Sequence, residues 1–246
     1  MHIFYHFGRY FLLIKRAFGK PEKLSIFRDR VFEEMYVLGI GSLGIVAIIS
    51  VFIGAVITIQ SAFSFSNPLV PIYAVGVAMR DSMILEFAPT IVSLILAGKI
   101  GSSIASEIGT MRVSEQVDAL EIMGINSAGY LILPKIIAAV FFNPILTIFS
   151  MFLGILGGYV FGLMAGVVTH YEYIYGITFQ FIPYDVTYAL IKSSVFAFIM
   201  ASVPAYHGYY TRGGALEVGR SSTKGVVYSF VLILAFDLIL TQLLLV

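Results

Sequence analysis

Charged residues are scarce in this sequence, and cysteine is missing altogether. Asp, Glu, Lys and Arg make up 12% of the 246 residues, whereas soluble domains have about 25%. Hydrophobic residues account for 59%, and the mean hydropathy is +0.95. Without cysteine there is no disulfide framework, no thiol nucleophile and no cysteine-based metal site. The composition therefore predicts an integral membrane protein.

Groupings typical of enzymes and metal sites are also missing. No two of the four histidines have the spacing of metal ligands inside an apolar run, and no nucleophile stands beside a base. Residues 214–221, GALEVGRS, have the spacing of a phosphate-binding loop, but Arg220 stands where that motif requires lysine. We therefore expect no catalytic residue, metal, cofactor or nucleotide site, and we expect 207–225 to be a flexible cytoplasmic loop.

Five long apolar runs follow one another, and about 20 apolar residues suffice to cross a bilayer as a helix. The third run would be about 50 Å long as a helix, so we expect it to be tilted or kinked. The predicted fold is all-α, with a single domain over 1–246 and five transmembrane spans: 36–63, 83–105, 131–165, 186–206 and 226–246.

The first 20 residues are aromatic and basic, and charges interrupt their apolar positions. This pattern predicts an amphipathic helix over 1–20 that lies in the membrane interface, with its basic side toward anionic lipid. Packing of this helix on the protein itself is the alternative.

Basic residues are distributed unevenly between the two sides of the predicted spans. Seven of them precede the first span, and others follow the second and fourth spans, including Arg112, Arg212 and Lys224. The opposite side has only Arg80. Because cytoplasmic loops carry the excess of Lys and Arg, we expect a cytoplasmic amino terminus and a periplasmic carboxy terminus.

Small residues recur at the inner end of the second span. Gly101, Ala105 and Gly109 are spaced by four, and Gly98 precedes them. This spacing places them along one helix face, where another helix can approach closely.

A short amphipathic segment, 114–123, follows this face and is too short to cross a bilayer. Ser114 is expected to cap it as a helix and Gly124 to end it. Its apolar residues Val117, Leu120 and Met123 share one face, so it is either a handle for a soluble partner or a solvated turn between spans.

Charged residues lie inside the apolar runs, among them Glu86, Lys99, Lys192 and Asp237, and each costs about 3 kcal/mol or more if it faces lipid. Glu86 and Lys99 are about 20 Å apart along the second span, too far to pair. Glu86 and Lys192 lie at similar depths from the outer side, and we expect them to line one outward-facing polar cavity, as a pair or as two headgroup contacts. A structural pair or two snorkelling ends is the alternative. For Asp237, a helix-to-helix hydrogen bond and a transport role are the two interpretations.

Residues 101–125, GSSIASEIGTMRVSEQVDALEIMGI, resemble the signature of the MlaE-type (YrbE) permeases. These are the membrane subunits of bacterial lipid-transporting ABC systems that work with MCE proteins. Leu85 stands where some members have arginine directly before the glutamate, so a second charge is missing there and the headgroup contacts are expected to differ. Further matching stretches are EFAPTIVSLILAGKIGSSIASE, ALIKSSVF, GGALEVGRSSTKGVV and FDLILT.

The resemblance implies a homodimer whose two copies enclose a path for phospholipid or a related lipid. It also implies a periplasmic MCE-domain assembly and a cytoplasmic ABC ATPase that meets a coupling helix at 114–123. The residues that would couple the permease to the ATPase are Ser114, Glu115, Gln116, Asp118, Ala119 and Leu120. Some systems add a cytoplasmic STAS-domain subunit, and no nucleic acid takes part. The polar pocket residues of the family correspond to Glu86 and Lys192.

We therefore expect a lipid permease of the bacterial inner membrane, powered by a separate ATPase; a location in the chloroplast envelope is the alternative. A stand-alone channel or secondary transporter that uses Glu86 and Asp237 is the main competing function. Such folds usually contain internal repeats, and none is visible in this sequence. A structural membrane anchor for a cytoplasmic complex is a third possibility.

Overall fold

The computed structural model describes residues 2–19, 24–65 and 69–245, and the regular secondary structure in these ranges is helical. Residues 1 and 20 of the predicted interfacial helix and residue 246 of the predicted fifth span lie outside the described residues. The helical segments are α1 (His2–Ala17), α2 (Leu24–Ser64), α3 (Tyr73–Val113), α4 (Gln116–Ile122), α5 (Ser127–Met164), α6 (His170–Thr178), α7 (Pro183–Tyr209) and α8 (Ala215–Leu245).

Five of these helices, namely α2, α3, α5, α7 and α8, are long and apolar enough to cross a membrane. The predicted all-α membrane fold with five spans is therefore confirmed. Within α5, Ile132 separates a short helix, Ser127–Leu131, from the main helix, Leu133–Met164.

Two of the spans depart from regular α-helix geometry. In α2, the π-helical segment Met35–Gly39 precedes a 3₁₀ turn, Ile40–Ser42. In α3, two π-helical segments, Met83–Ile91 and Ala97–Gly101, flank a single turn of α-helix. The two charged residues that the sequence places inside the second span, Glu86 and Lys99, lie in these segments.

The described chain divides into two compact units. One unit comprises 42–92 and 143–193, and its core is formed where α2, α3, α5, α6 and α7 meet. Met79, Met83 and Tyr173 are fully buried there. Ser50 on α2 donates a hydrogen bond to Ser150 on α5 at 2.7 Å, which links the two helices inside this unit.

The other unit comprises 1–41, 93–142 and 194–246. It contains α1, α4, α8 and the adjoining parts of α2, α3, α5 and α7. Its α1 contacts α7 through two hydrogen bonds, one between the His6 ring and the Tyr206 hydroxyl and one between the hydroxyls of Tyr10 and Ser202, each 2.7 Å long. One face of α1 thus packs on the protein, and the other exposes apolar side chains suited to a membrane interface: Phe4, Tyr5, Phe7, Phe11 and Leu12.

The prediction of a flexible loop over 207–225 is wrong. The α7 helix continues to Tyr209, and α8 already begins at Ala215. An ion pair of 2.6 Å between Arg220 and Glu217 lies on the exposed side of α8, and the other side is buried at Val218. Hydropathy marks only the lipid-crossing part of a helix, so this polar extension of the span was misassigned.

Candidate functional site

Glu86 and Lys192 form an ion pair between α3 and α7. The Lys192 ammonium lies 3.1 Å from Glu86 Oε1 and 3.2 Å from Oε2, and it also donates to the Leu85 carbonyl at 3.2 Å. The Lys192 side chain is completely buried, whereas 45% of the Glu86 side chain is exposed. Of the two arrangements that the sequence allowed, the structure therefore has the pair rather than two separate contacts.

The proline at position 89 explains part of this geometry. In an α-helix its N–H would bond to the Leu85 carbonyl, but proline has none, and the surrounding segment is π-helical. Lys192 donates to that same carbonyl and therefore satisfies both a backbone acceptor and a carboxylate. Segments of π-helix occur frequently at functional sites, and Pro89 was the sequence signal that could have located this one.

Burial makes the pair sensitive to the loss of either member. A charge removed from water must be offset by close partners, and Lys192 has Glu86, Leu85 and the face of the Tyr188 ring, whose centroid lies 4.9 Å from the ammonium. Glu86 is half-exposed, so its carboxylate is the part of the pair that another molecule can reach. The site therefore combines a rigid buried cation with an accessible carboxylate.

Lys99 and Asp237 occupy other places in the structure. Lys99 donates to the Gly41 carbonyl, which ties α3 to the 3₁₀ turn of α2. Asp237 is half-buried in α8, and the Thr241 hydroxyl donates to its backbone carbonyl at 2.8 Å.

The predicted coupling segment contains a short helix, α4. Gly124 ends it, since its φ of 80° allows the Gly124 and Ile125 N–H groups to bond back to Glu121 and Leu120. The prediction that Ser114 caps the helix is wrong. Glu115, with a φ of 61°, occupies the cap position without a side-chain hydrogen bond. The Ser114 hydroxyl instead donates to the Thr110 carbonyl at the end of α3.

The surface of α4 is divided between anchored and exposed side chains. Val117 is fully buried, and Asp118 pairs with Arg112 on α3 at 2.6 Å, so α4 is fixed against the end of that span. Glu115, Gln116 and Ala119 are exposed, and Leu120 is half-buried. Of the apolar residues predicted to share one face, Val117 is buried and Leu120 half-buried, whereas Met123 is 65% exposed and lies beside Ile122, which is 87% exposed.

Glu121, which the sequence pattern did not single out as a site residue, connects this segment to three other helices. Its Oε1 accepts hydrogen bonds from Ser127 on α5 at 2.8 Å and from Tyr209 on α7 at 2.9 Å. Arg16 of α1 lies 3.0 Å from the same oxygen. The Ser127 hydroxyl contributes most to holding the pKa of the Glu121 carboxyl below its usual range, and Tyr209 and Arg16 act in the same direction.

The small-residue face of α3 lies against α7 and α8. A Cβ on Gly101 would stand 2.9 Å from Pro204, and a Cβ on Gly208 would stand 2.7 Å from the Ala105 carbonyl. Gly109 faces Val218 on α8, and Gly98 lies near Phe230. The backbones of these helices therefore approach more closely than larger side chains would allow.

Comparison with known proteins identifies the family. The model described as Permease MlaE matches residues 31–243. A probable ABC transporter permease protein of Rickettsia bellii is 38% identical over 96% of this chain and 91% of its own length. A probable ABC transporter permease protein of Synechocystis is 34% identical over 95% of this chain and 88% of its own length. The chloroplastic protein TRIGALACTOSYLDIACYLGLYCEROL 1 of Arabidopsis thaliana is 35% identical over 82% of this chain and 57% of its own length. The chain therefore belongs to the MlaE permease family.

Proposed function

We propose that this chain moves phospholipid or a related lipid between the bacterial inner membrane and a periplasmic MCE protein. It is a membrane permease and not an enzyme, because ATP hydrolysis in this family lies in a separate subunit. The name of the Arabidopsis relative refers to a glycolipid, which supports lipid as the cargo class.

The observation that carries this proposal is the pair of Lys192 and Glu86 inside two membrane spans. A fully buried lysine in a span is costly and marks a pathway or binding site by default. Its carboxylate partner is half-exposed, so a zwitterionic or anionic headgroup can approach the pair while the lipid tails contact the apolar helices. Glu86 and Lys192 are therefore the proposed headgroup contacts.

Energy enters through α4. The exposed residues Ala119 and Ile122 of α4, together with Glu115 and Met123 at its two ends, offer an ATPase subunit both charge and apolar surface. Because α4 is joined to α3 by the ion pair of Asp118 with Arg112, a displacement of α4 acts on the span that carries Glu86. ATP binding in the partner would in this way open or compress a lipid path between two copies of the permease.

Reconstituted transport provides the direct test. The complex of permease, ATPase and MCE protein is assembled in liposomes, and ATP-dependent transfer of a fluorescent phospholipid to the MCE protein is measured. Replacement of both Glu115 and Asp118 by lysine should abolish transfer or ATPase binding. The matched control is Asp29→Lys, because Asp29 is exposed on α2 and belongs to no proposed site.

Full transport and normal assembly in the Glu115 and Asp118 double variant would contradict the coupling role of α4. Ion flux through the permease alone, without ATPase or lipid transfer, would support the channel or secondary-transporter function instead. A complex that assembles but moves neither lipid nor ions would indicate a structural anchor.

A further inference from the structure

A cavity lined by aromatic, aliphatic and three charged residues lies in the unit that contains the Glu86–Lys192 pair. It has a volume of about 440 Å³ and is formed by the first turns of α3 and α7, the end of α2 and the connection between α6 and α7. Ligand pockets commonly span about 300–1,000 Å³, so the cavity can hold a lipid headgroup. The distribution of basic residues places the starts of α3 and α7 on the outer side of the membrane.

One wall of this cavity is held by Arg80, which is 5% exposed. Its Nε donates to Asp81 at 2.7 Å, and its Nη1 donates to the Ile177 and Phe179 carbonyls at 3.0 and 2.7 Å. The guanidinium is therefore engaged in fixing the connection after α6 onto α3. Its charge is balanced by Asp81, which leaves it little capacity to bind a phosphate.

Asp185 adds a second negative charge to the cavity, beyond the charge of Asp81 that pairs with Arg80. It lies half-buried in the first turn of α7 and lines the cavity. Among the described residues no cation lies within ion-pair distance of its carboxylate, whereas Asp81 does have such a partner. With one cation and two carboxylates in its lining, the cavity carries a net negative charge.

Aromatic rings line the same cavity, namely those of Phe65, Tyr73 and Phe179. The Tyr73 ring is tilted against that of Phe179 and lies edge-on to that of Tyr175. Ammonium groups bind favourably against aromatic faces, and the attraction grows where water is excluded. The neighbouring Gln180 has a φ of 46°, a strained conformation of the kind found at ligand-binding positions.

We propose that this cavity binds the ammonium group of an amine-bearing phospholipid headgroup, with Asp185 as its counter-charge and the rings of Tyr73 and Phe179 against it. This inference rests on the proposed lipid transport, and it adds a specificity site separate from Glu86 and Lys192. Amine-bearing phospholipids such as phosphatidylethanolamine are the lipids that this site would select over phosphatidylglycerol.

Fluorescence can report binding directly, because the chain contains no tryptophan. The variant Phe179→Trp, held in phosphatidylglycerol nanodiscs, is titrated with short-chain phosphatidylethanolamine, short-chain phosphatidylglycerol and phosphoethanolamine. Phosphatidylethanolamine should shift the emission with saturation. Adding Asp185→Asn should weaken this binding about tenfold, the effect of losing one charged contact.

Two further variants keep the result interpretable. Asp185→Glu retains the charge and should retain binding, and Asp29→Asn makes the same charge change on an exposed position of α2 and should leave binding unchanged. Equal affinity for phosphatidylethanolamine and phosphatidylglycerol, or undiminished binding in Asp185→Asn, would overturn the proposal. Equal affinity for phosphoethanolamine would assign the cavity to a soluble amine and would also overturn it.

The transfer assay separates this inference from the proposed function. If the permease does not move lipid, the wild-type complex shows no ATP-dependent transfer, whatever the fluorescence titration gives. If lipid moves but the cavity has no role, wild-type transfer is normal and Asp185→Asn transfers phosphatidylethanolamine and phosphatidylglycerol in the wild-type ratio.

Discussion

The Arg16 guanidinium lies 3.0 Å from Glu121 Oε1, so the amino-terminal helix α1 is tied directly to α4, the proposed coupling helix. A second contact reinforces this attachment, because the Asn126 side chain donates to the Arg16 carbonyl at 2.8 Å. Ser127 and Tyr209 bind the same Glu121 oxygen from α5 and α7. Because all three contacts meet at the Glu121 carboxylate, a movement of α4 acts on α1, α5 and α7 through this one side chain.

Glu121→Gln should weaken the transmission of movement from α4 while leaving the exposed docking residues unchanged. We expect ATP-dependent lipid transfer to fall about fivefold or more, which corresponds to a coupling free energy of about 1 kcal/mol or more. ATPase binding, measured by co-purification, should remain at the wild-type level. Asp29→Asn is the control for a neutralised acid on an exposed helix. Normal transfer in Glu121→Gln would show that the junction does not transmit movement.

Stability should depend on pH through the same carboxylate. Because the pKa of Glu121 is lower in the folded protein than its ordinary value of 4.5, the folded state favours the ionised form. Its stabilising contribution is therefore fully present above pH 4.5 and is lost as the pH falls through the lower, folded-state pKa. The melting temperatures of wild type and Glu121→Gln in detergent should differ by a constant amount above pH 4.5, and the difference should shrink as the pH is lowered further below that value. A difference that stays unchanged on acidification below pH 4.5 would argue against the junction.

The pair of Lys192 and Glu86 allows a double-mutant test of buried charge. Glu86→Gln leaves a buried ammonium without its carboxylate and should destabilise the protein by about 3–5 kcal/mol. Lys192→Met should cost less, because the remaining Glu86 is 45% exposed and can be hydrated. The double variant should recover much of the stability that Glu86→Gln loses, as measured by thermal unfolding in detergent.

Lipid-transfer assays of the same variants distinguish an effect on transport from an effect on stability. The double variant should be stable yet inactive in lipid transfer, because both proposed headgroup contacts are gone. Wild-type transfer in the stable double variant would reduce the pair to a structural role.

Hydropathy was sufficient to predict five spans, since each apolar run is long enough to cross a bilayer regardless of its partners. Hydropathy did not predict where α8 begins, because the helix starts at Ala215 with a polar segment that precedes the apolar run. The π-helical segments in α2 and α3 were also missed, because pattern arguments assume a constant period of 3.6 residues. Pro89 was the one local signal of such a departure.

The geometry of the candidate site could likewise be predicted only in part from the sequence. Counting residues from the outer ends placed Glu86 and Lys192 at similar depths, but depth does not determine which way a side chain faces. Rotation of each helix is set by packing with its neighbours, and the single sequence carries no record of that packing. Glu121 was missed for the same reason, since Arg16 and Tyr209 are distant from it in sequence.

Close packing of α2 against α5 gives the last prediction. A Cβ on Gly54 would overlap the Gly154 backbone, including its carbonyl oxygen, and backbone atoms cannot move aside as a flexible side chain can. Gly54→Ala should therefore destabilise the protein by about 1–3 kcal/mol. Gly44→Ala is the matched control in the same helix, because a Cβ there meets no atom within 4 Å.

Alanine normally stabilises a helix interior relative to glycine, by about 0.5–1 kcal/mol. The two substitutions should thus change the melting temperature in opposite directions, although they are chemically identical and lie ten residues apart in α2. Thermal unfolding of both variants in detergent micelles measures the difference. An equal or higher melting temperature for Gly54→Ala would mean that α2 and α5 do not approach at Gly154 as closely as the structure has them.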